Sequence, residues 1–321
     1  MSLETLFLRA IDPIHVGTGG YSLGRVDNSI LRDPTTNIPK IPGTALSGAS
    51  RHYAAETHRR AYPKNQICAG QKGHCGDCPV CYTFGYSSTD SDERAIPETT
   101  QKDKFAGTVN VFDAHILLFP TSSIYGTVWV TTESLLNDIC INIPSEIMPC
   151  TTNNRWANKR INLGWQMIEA LKLGELNLDQ SIEDIVSDRI VVIDEDRFGL
   201  VVNGNLEVRT SVAIDPKTGT AEDKALFTYE AIPRNTIFMM DVLEDDYRRD
   251  SLSSKDSRRS FFPATVDNIV WYSPMDVLKH GLRMIATRGV GGMGTRGFGR
   301  LKWLEEDSDS GTNIETGGSK P

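Results

Sequence analysis

Long hydrophobic runs are missing: no apolar stretch of the 321-residue chain approaches the roughly 20 residues of a membrane-spanning helix. The opening "MSLETLFLRAID" also lacks the basic, apolar and small-residue succession of a secretory leader. These absences lead us to expect a soluble, cytoplasmic protein with no membrane partner. An excess of positive charge is missing too. The formal net charge is −8, which argues against a protein that finds nucleic acid by overall charge alone. Part of the deficit is local. The tail "EEDSDSGTNIETGGSKP" (305–321) sets Glu305, Glu306, Asp307, Asp309 and Glu315 against Lys320, and its polar, Gly/Ser-rich composition predicts disorder. The body without the tail carries about half the negative charge, so a basic groove on an acidic body remains open.

Cysteine is scarce outside one segment. Of six cysteines, four (Cys68, Cys75, Cys78 and Cys81) fall within "CAGQKGHCGDCPVC", while Cys140 and Cys150 stand apart and read as core residues. Four close thiols in an intracellular chain suit a tetrahedral structural Zn²⁺ site built on short C-x₂-C knuckles. An iron–sulfur cluster is the rival reading, and His74 could replace one thiol. A closed shell of four ligands leaves no open position for chemistry, so the site is expected to be structural.

Glycine is concentrated near the end, in "GVGGMGTRGFGRLKW" (289–303), where Gly292, Gly294 and Gly297 spell G-x-G-x-x-G. A dinucleotide-binding loop needs a strand before these glycines and a helix after them. Here the order is reversed. "SPMDVLKHGLRMIATR" upstream predicts a helix, with Ser273 as N-cap, Pro274 in the first turn and Val277, Leu278, Leu282 and Ile285 on one apolar face. "FGRLKWLEE" downstream alternates like a strand, and few residues follow it. The dinucleotide reading is rejected. What remains is a glycine loop among Arg288, Arg296, Arg300 and Lys302, which either cradles phosphate on backbone N–H groups or is a tight turn with solvated charges.

Elsewhere the chain reads as strand ("LETLFLRAID"), Pro-rich loop, and a helix over "TALSGASRHYAAETHRRAY" capped by Thr44, with Leu46, Ala49, Tyr53 and Ala54 on its apolar side. "GTVNVFDAHILLFP" and "IYGTVWVTT" predict paired strands, about 135–178 reads as mixed and partly helical, and "RIVVIDEDRFGLVV" as strand. A long β-ribbon turns at "DPKTG" and is too rich in Thr, Val, Phe and Tyr for an isolated hairpin. This order predicts an α+β fold of ferredoxin-like type.

Four segments in order, "PIHVGTG…LGRVDNSILRDPTTNIPKIPGTALSGASR", "DAHILLFPTSSIYGTVWVTT", "VAIDPKTGTAEDKALFTYEAIP" and "GGMGTRGFGRL", resemble the RAMP superfamily. More narrowly they are similar to the repeated backbone subunit of type III CRISPR effector complexes. Residues around 113–132 look most like the type III-B version, whereas the cysteines and "GTRGFG" look closer to type III-A. Where that family commonly has a lysine in "SLKG", this chain has Ser47 in "ALSG".

The resemblance implies one RAMP domain over 1–304, with a cysteine-rich zinc loop insertion at 63–103, a mixed helical or lid insertion at 133–190 and a thumb ribbon at 206–234. It implies further copies of the chain stacked along a crRNA guide, other effector subunits, and complementary target RNA splayed at intervals by the thumb. It further implies that the glycine loop cradles guide phosphates and that Asp27 cuts the target. Cutting by 2′-OH attack needs in-line alignment, proton removal and charge on the phosphorane offset. Asp27 could hold a divalent metal, Mg²⁺ or Mn²⁺, or accept the proton; read from spacing alone it could equally cap a turn. His15 in "PIHVG" could assist, since imidazole titrates near neutral pH. By position, Arg25, Arg32, Lys40, Arg51, Arg209, Arg288, Gly292, Gly294 and Arg296 are expected RNA contacts, with Arg51 the foremost phosphate binder. The rival functions are a scaffold that leaves cutting to a partner and a guide-processing nuclease acting through His15.

Overall fold

The computed structural model describes residues 1–19, 26–62, 67–70, 74–87, 104–144, 148–214, 217–250 and 258–304. Arg25, the 305–321 tail and part of the cysteine-rich segment therefore lie outside the described residues, as do the first two residues of "DPKTG". In chain order the strands are β1 (Ser2–Ala10), β2 (Lys40–Ile41), β3 (Val109–Val111), β4 (Ala114–Ser123), β5 (Gly126–Thr132), β6 (Cys150–Thr151), β7 (Lys159–Leu163), β8 (Gln166–Lys172) and β9 (Ile190–Ile193). They continue as β10 (Glu207–Ile214), β11 (Ala221–Ala231), β12 (Ile237–Glu244), β13 (Ala264–Val266), β14 (Ile269–Trp271) and β15 (Leu301–Leu304). Long helices occupy Gly43–Ala61 and Pro274–Arg288. The chain forms two compact units, one from Met1–Pro120 and Val202–Trp303, the other built on Thr121–Val201. The expected insertion at 133–190 falls inside the second.

In the first unit the strands lie in the order β15-β1-β12-β4. β1 and β12 pair antiparallel from Ser2↔Glu244 to Arg9↔Ile237. Alternation in β1 sends Leu6, Leu8 and Ala10 to the buried side. The two long helices pack on each other through their small residues: a β-carbon on Gly281 would come 2.3 Å from the Ser50 carbonyl oxygen. The last helix follows the sequence closely, since Val277, Leu278, Leu282 and Ile285 are all buried. Ser273 accepts from the Asp276 N–H, and the Asp276 carboxylate accepts in return from the Ser273 N–H, which completes a capping box.

The first helix departs from expectation at its start. It begins at Gly43 after Pro42, not at Thr44. The Gly43 N–H donates to Asp113 Oδ1 at 2.8 Å, so a carboxylate 70 residues away does what a Thr44 cap would have done. Its apolar side also divides. Leu46 and Ala54 are buried, whereas Ala49 and Tyr53 line a groove.

In the second unit β5 pairs parallel with β9, β9 antiparallel with β6, β6 parallel with β8, and β8 antiparallel with β7. All four residues of β9 are buried. The stretch 135–178 is mixed and partly helical as expected, the short helix Glu133–Asp138 being followed by β6, β7 and β8 with loops between them. One expectation is corrected. The expected strand over "DEDRFGLVV" is a helix, Glu195–Gly204: acids fill its first turn, and Phe198, Val201 and Val202 are buried at helical spacing. Cys150 is buried as expected, but Cys140 is exposed, in a left-handed turn position. Among the described residues no helix is long and apolar enough to cross a membrane.

Two buried histidines of the helix pair set a pH dependence. Burial holds both His58 and His280 below the ordinary imidazole value of 6.5, with Arg283 adding to the effect on His280. His280 Nε2 lies 3.0 Å from Thr57 Oγ1. Folding thus keeps both rings neutral where the unfolded chain would take up protons. Their contribution is constant above about pH 6.5 and turns destabilising as pH falls below it, until the folded values are reached. Thermal unfolding is expected to fall in midpoint between pH 7 and pH 5, and His58→Gln/His280→Gln to flatten that slope. An unchanged slope in the double variant would assign the dependence elsewhere.

Candidate nucleic-acid interface and cysteine cluster

The last turns of β11 organise the site. On one edge β11 pairs with β10, through Glu207↔Ala231 to Val212↔Leu226. Its other edge receives two loop segments from the N-terminal region. Ile14 and Ile232 exchange backbone hydrogen bonds at 2.9 Å. The Asn28 N–H donates to the Thr228 carbonyl at 3.0 Å, and the Glu230 N–H donates to the Asn28 carbonyl at 3.1 Å. "PIHVG" and "VDNSI" are thereby drawn onto one strand although the ribbon lies some two hundred residues away in sequence.

Asp27 stands exposed on this seam. Its Oδ2 accepts from the Thr228 N–H at 2.7 Å and from the Thr228 hydroxyl at 2.9 Å. These bonds, the backbone one foremost, hold its carboxyl below the usual carboxylate value, so Asp27 is ionised at neutral pH. Both Thr228 donors are on Oδ2, and among the described residues no other residue donates to Oδ1. His15 is buried, with Nδ1 2.6 Å from the Glu230 carbonyl oxygen. A carbonyl only accepts, so Nδ1 donates and Nε2 of the neutral ring is the acceptor. That nitrogen lies toward Gly17, where a β-carbon would come within 3.2 Å. Asp27 and His15 therefore hang from positions 228 and 230 of the same strand.

The glycine loop separates two grooves. One, about 360 Å³, is lined by His15, Gly17, Thr18, Asn28, Ser29 and Gly292. The other, about 370 Å³, lies between the first helix and the loop, with Gly48, Ala49, His52, Tyr53, Gly291 and Gly294 on its walls. The loop is pinned where it meets the N-terminal segment: the Gly292 N–H donates to the His15 carbonyl at 2.9 Å, and the Tyr53 hydroxyl donates to the Gly289 carbonyl at 2.6 Å. Gly291 has φ +83°, and a β-carbon there would sit 2.5 Å from the His15 carbonyl oxygen. Gly294, by contrast, opens onto space with nothing within 4 Å.

The basic residues expected at RNA divide into two groups. Arg32 is inward: it donates to Asn203 Oδ1 at 3.1 Å, to the Ile30 carbonyl at 3.0 Å and to Glu230 Oε2 at 2.8 Å. Lys40 lies between Asp113 (2.8 Å) and Asp33 (3.3 Å), and these carboxylates, Asp113 first, raise its pKa. Arg51, expected as the foremost phosphate binder, is turned into the cysteine loop, where backbone carbonyls occupy its guanidinium. These three hold loops together. Arg209, Arg288 and Arg296 stay exposed. Arg288 pairs with Glu56. Arg209 lies 4.7 Å over the Phe298 ring and Arg296 4.9 Å over the Phe227 ring, so aromatic faces of the ribbon base and glycine loop pre-position two cations.

Reading by motif missed Thr228, Glu230, Phe227 and Phe298. The strict alternation of "FTYEA" was the available signal, since it puts Thr228 and Glu230 on one face and Phe227 and Tyr229 on the other.

Cys68, Cys75, Cys78 and Cys81 converge so that their sulfurs all lie within 4.8 Å of one another, a group fit to hold a metal ion. Cys78 also caps the short helix Pro79–Phe84, whose first turn carries Cys81. His74 is not in this group: its Nε2 lies 2.8 Å from the Gly70 carbonyl oxygen and its Nδ1 3.1 Å from Arg51 Nη2.

Residues 7–302 match the RAMP superfamily, and the chain belongs to it. Among individual proteins, the CRISPR system Cmr endoribonuclease Cmr4 of Pyrococcus furiosus is 27% identical over 271 residues, 76% of this chain and 82% of that protein. The Cms endoribonuclease Csm3 of Methanothermobacter thermautotrophicus is 33% identical over 89 residues, 27% of this chain and 34% of that protein. A chain of the type III-B Cmr-beta complex bound to cognate target RNA superposes with a TM-score of 0.61 at 18% identity, covering 95% of this chain and 98% of that one. At that identity the likeness carries the fold alone.

Gly291→Ala tests whether the pinned loop is as tight as its backbone approach demands. The left-handed φ and the contact with His15 predict a loss of roughly 1–3 kcal/mol in urea unfolding. Wild-type stability in this variant would mean the loop yields readily.

Proposed function

We propose that this chain is a guide-RNA-binding backbone subunit of a type III CRISPR effector complex and that it cleaves complementary target RNA at Asp27. The observation that carries the reading is the exposed, ionised Asp27, fixed by Thr228 of the ribbon beside a glycine loop with two grooves, in a RAMP chain similar to Cmr and Cms endoribonucleases. The strand order β15-β1-β12-β4, with the first long helix after β1 and the last before β15, fits a ferredoxin-like core. β10 and β11 form a two-stranded sheet of their own and fit a thumb. The partners are the crRNA guide, target RNA, further copies of the chain and other effector subunits.

Guide phosphates lie on the loop around Gly292 and Gly294, within reach of Arg209 and Arg296. Target RNA, splayed by the ribbon, presents a 2′-OH beside its own phosphate. Asp27 orients that hydroxyl or accepts its proton on Oδ1, and Thr228 keeps the carboxylate from rotating away. A divalent ion, Mg²⁺ or Mn²⁺, would be held by Asp27 and would supply positive charge to the phosphorane. His15 positions the groove wall and offers Nε2 as an acceptor. The four cysteines fit one structural Zn²⁺: a tetrahedral ion with Zn–S bonds of about 2.3 Å needs sulfurs about 3.8 Å apart, against the 3.3 Å of Cys68–Cys75 and the 4.0 Å of Cys75–Cys81. An iron–sulfur cluster, with thiolates on separate irons, requires wider spacing.

In the reconstituted complex Asp27→Ala should abolish target cleavage while guide and target binding stay near wild type. Thr228→Val, which removes the hydroxyl bond but keeps the backbone one, should slow cleavage on the order of 10-fold, and Thr228→Ser should restore most of the rate. Cleavage at the wild-type rate in Asp27→Ala would leave this chain a scaffold; cleavage of a guide precursor by the chain, lost in His15→Ala and kept in Asp27→Ala, would favour guide processing.

Arg296→Ala, and replacement of Gly294 by tryptophan, should weaken guide binding alike for all guide sequences, measured by filter retention at fixed salt. A loss confined to some sequences would point to base readout. Unchanged binding in both variants would reduce the loop to a turn.

A further inference from the structure

The first long helix sends one arginine into the cysteine loop, and its contacts span that loop from end to end. Arg51 Nε donates to the Cys68 carbonyl at 2.9 Å, Nη2 to the Gly85 carbonyl at 3.0 Å, and Nη1 to the Phe84 carbonyl at 3.4 Å. Nη2 also lies 3.1 Å from His74 Nδ1 and 4.0 Å from Cys81 Sγ. His74 is held on its far side by Gly70, so Arg51 grips the loop at 68, at 74 and at 84–85.

Four thiolates around a divalent ion leave two negative charges in a site whose Cys68, Cys78 and Cys81 are buried. Uncompensated charge there is costly, and a neighbouring cation lowers the cost. A guanidinium meets the geometry as an ammonium cannot, because its planar fork serves three separate carbonyls while its charge lies 4.0 Å from the Cys81 sulfur.

We infer that Arg51 is the outer-shell partner of the metal centre, neutralising thiolate charge and locking both ends of the loop onto the first helix. The inference rests on the structural-metal reading above. It has a consequence for RNA: Gly48, Ala49, His52 and Tyr53 of the same helix line the groove beside the glycine loop. Arg51 thus ties the cysteine loop to the helix that walls this groove.

The experiment measures zinc content and the rate of zinc transfer to a chromophoric chelator in the full chain, for wild type, Arg51→Met and Arg51→Lys, together with guide-RNA binding. Wild type should hold about one zinc per chain. Arg51→Met should release it about 10- to 100-fold faster, the usual effect of removing an outer-shell partner. Arg51→Lys, with the charge but without the fork, should fall between. Release at the wild-type rate in Arg51→Met overturns the proposal. So does weaker guide binding with unchanged release, which would return Arg51 to the RNA-facing residues. If Arg51→Met does not fold, Arg51→Lys decides, and wild-type release there overturns it equally. A parent protein that holds no metal sinks the metal reading itself, an outcome visible before any variant is made.

Discussion

Backbone pairing along the final residues of β11 is the constraint on which the site depends. The strand is satisfied on one edge by its ribbon partner, and on the other it takes up the N-terminal loops one hydrogen bond at a time. A strand edge left bare would bind any passing strand; here it is closed by segments of the same chain that carry Asp27 and His15. The same few residues project Phe227 and Tyr229 to the side where Phe298 packs. One short stretch of strand therefore joins the Asp27 carboxylate and the His15 imidazole of the N-terminal segment to a glycine loop far away in sequence.

Several of the chain's cations face partners within the protein. Arg32, Lys40 and Arg51 are spent inside the protein on carboxylates and carbonyls, and Arg288 on Glu56. Arg209 and Arg296 stay exposed at the ribbon base and glycine loop. On the proposed reading, charge arranged this way favours a defined track over diffuse adhesion to any nucleic acid.

Much of the fold was legible because its signals are local. The cap at Ser273, the alternation of β1 and the two strands of the ribbon are each set by neighbours close in sequence, and each formed where those signals place it. The errors arose where a distant partner decided the outcome. Asp113 moved a helix start from Thr44 to Gly43, and a run of valines after Asp194 joined a helix because Phe198 and its neighbours found a buried face. At the candidate site, motif reading reached Asp27, His15 and the glycines, residues whose types announce chemistry. It could not reach Thr228, whose importance lies wholly in which carboxylate it meets. Arg51 was misplaced for a similar reason: a helix-borne arginine looks the same in sequence whether it faces a phosphate or a carbonyl.

The ribbon has two ends under different constraints. At its base, β11 is hydrogen-bonded on both edges, so a one-residue insertion between Thr228 and Ile232 would shift Asn28 and Ile14 out of register together. Toward its tip the ribbon has a partner on one edge only, with Ile214 and Leu226 exposed. Length and composition there are free to drift without disturbing anything at the root. Relatives of this chain should therefore diverge in how far the ribbon extends while keeping the spacing of its root, and alignments anchored at the tip would misplace the residues that matter.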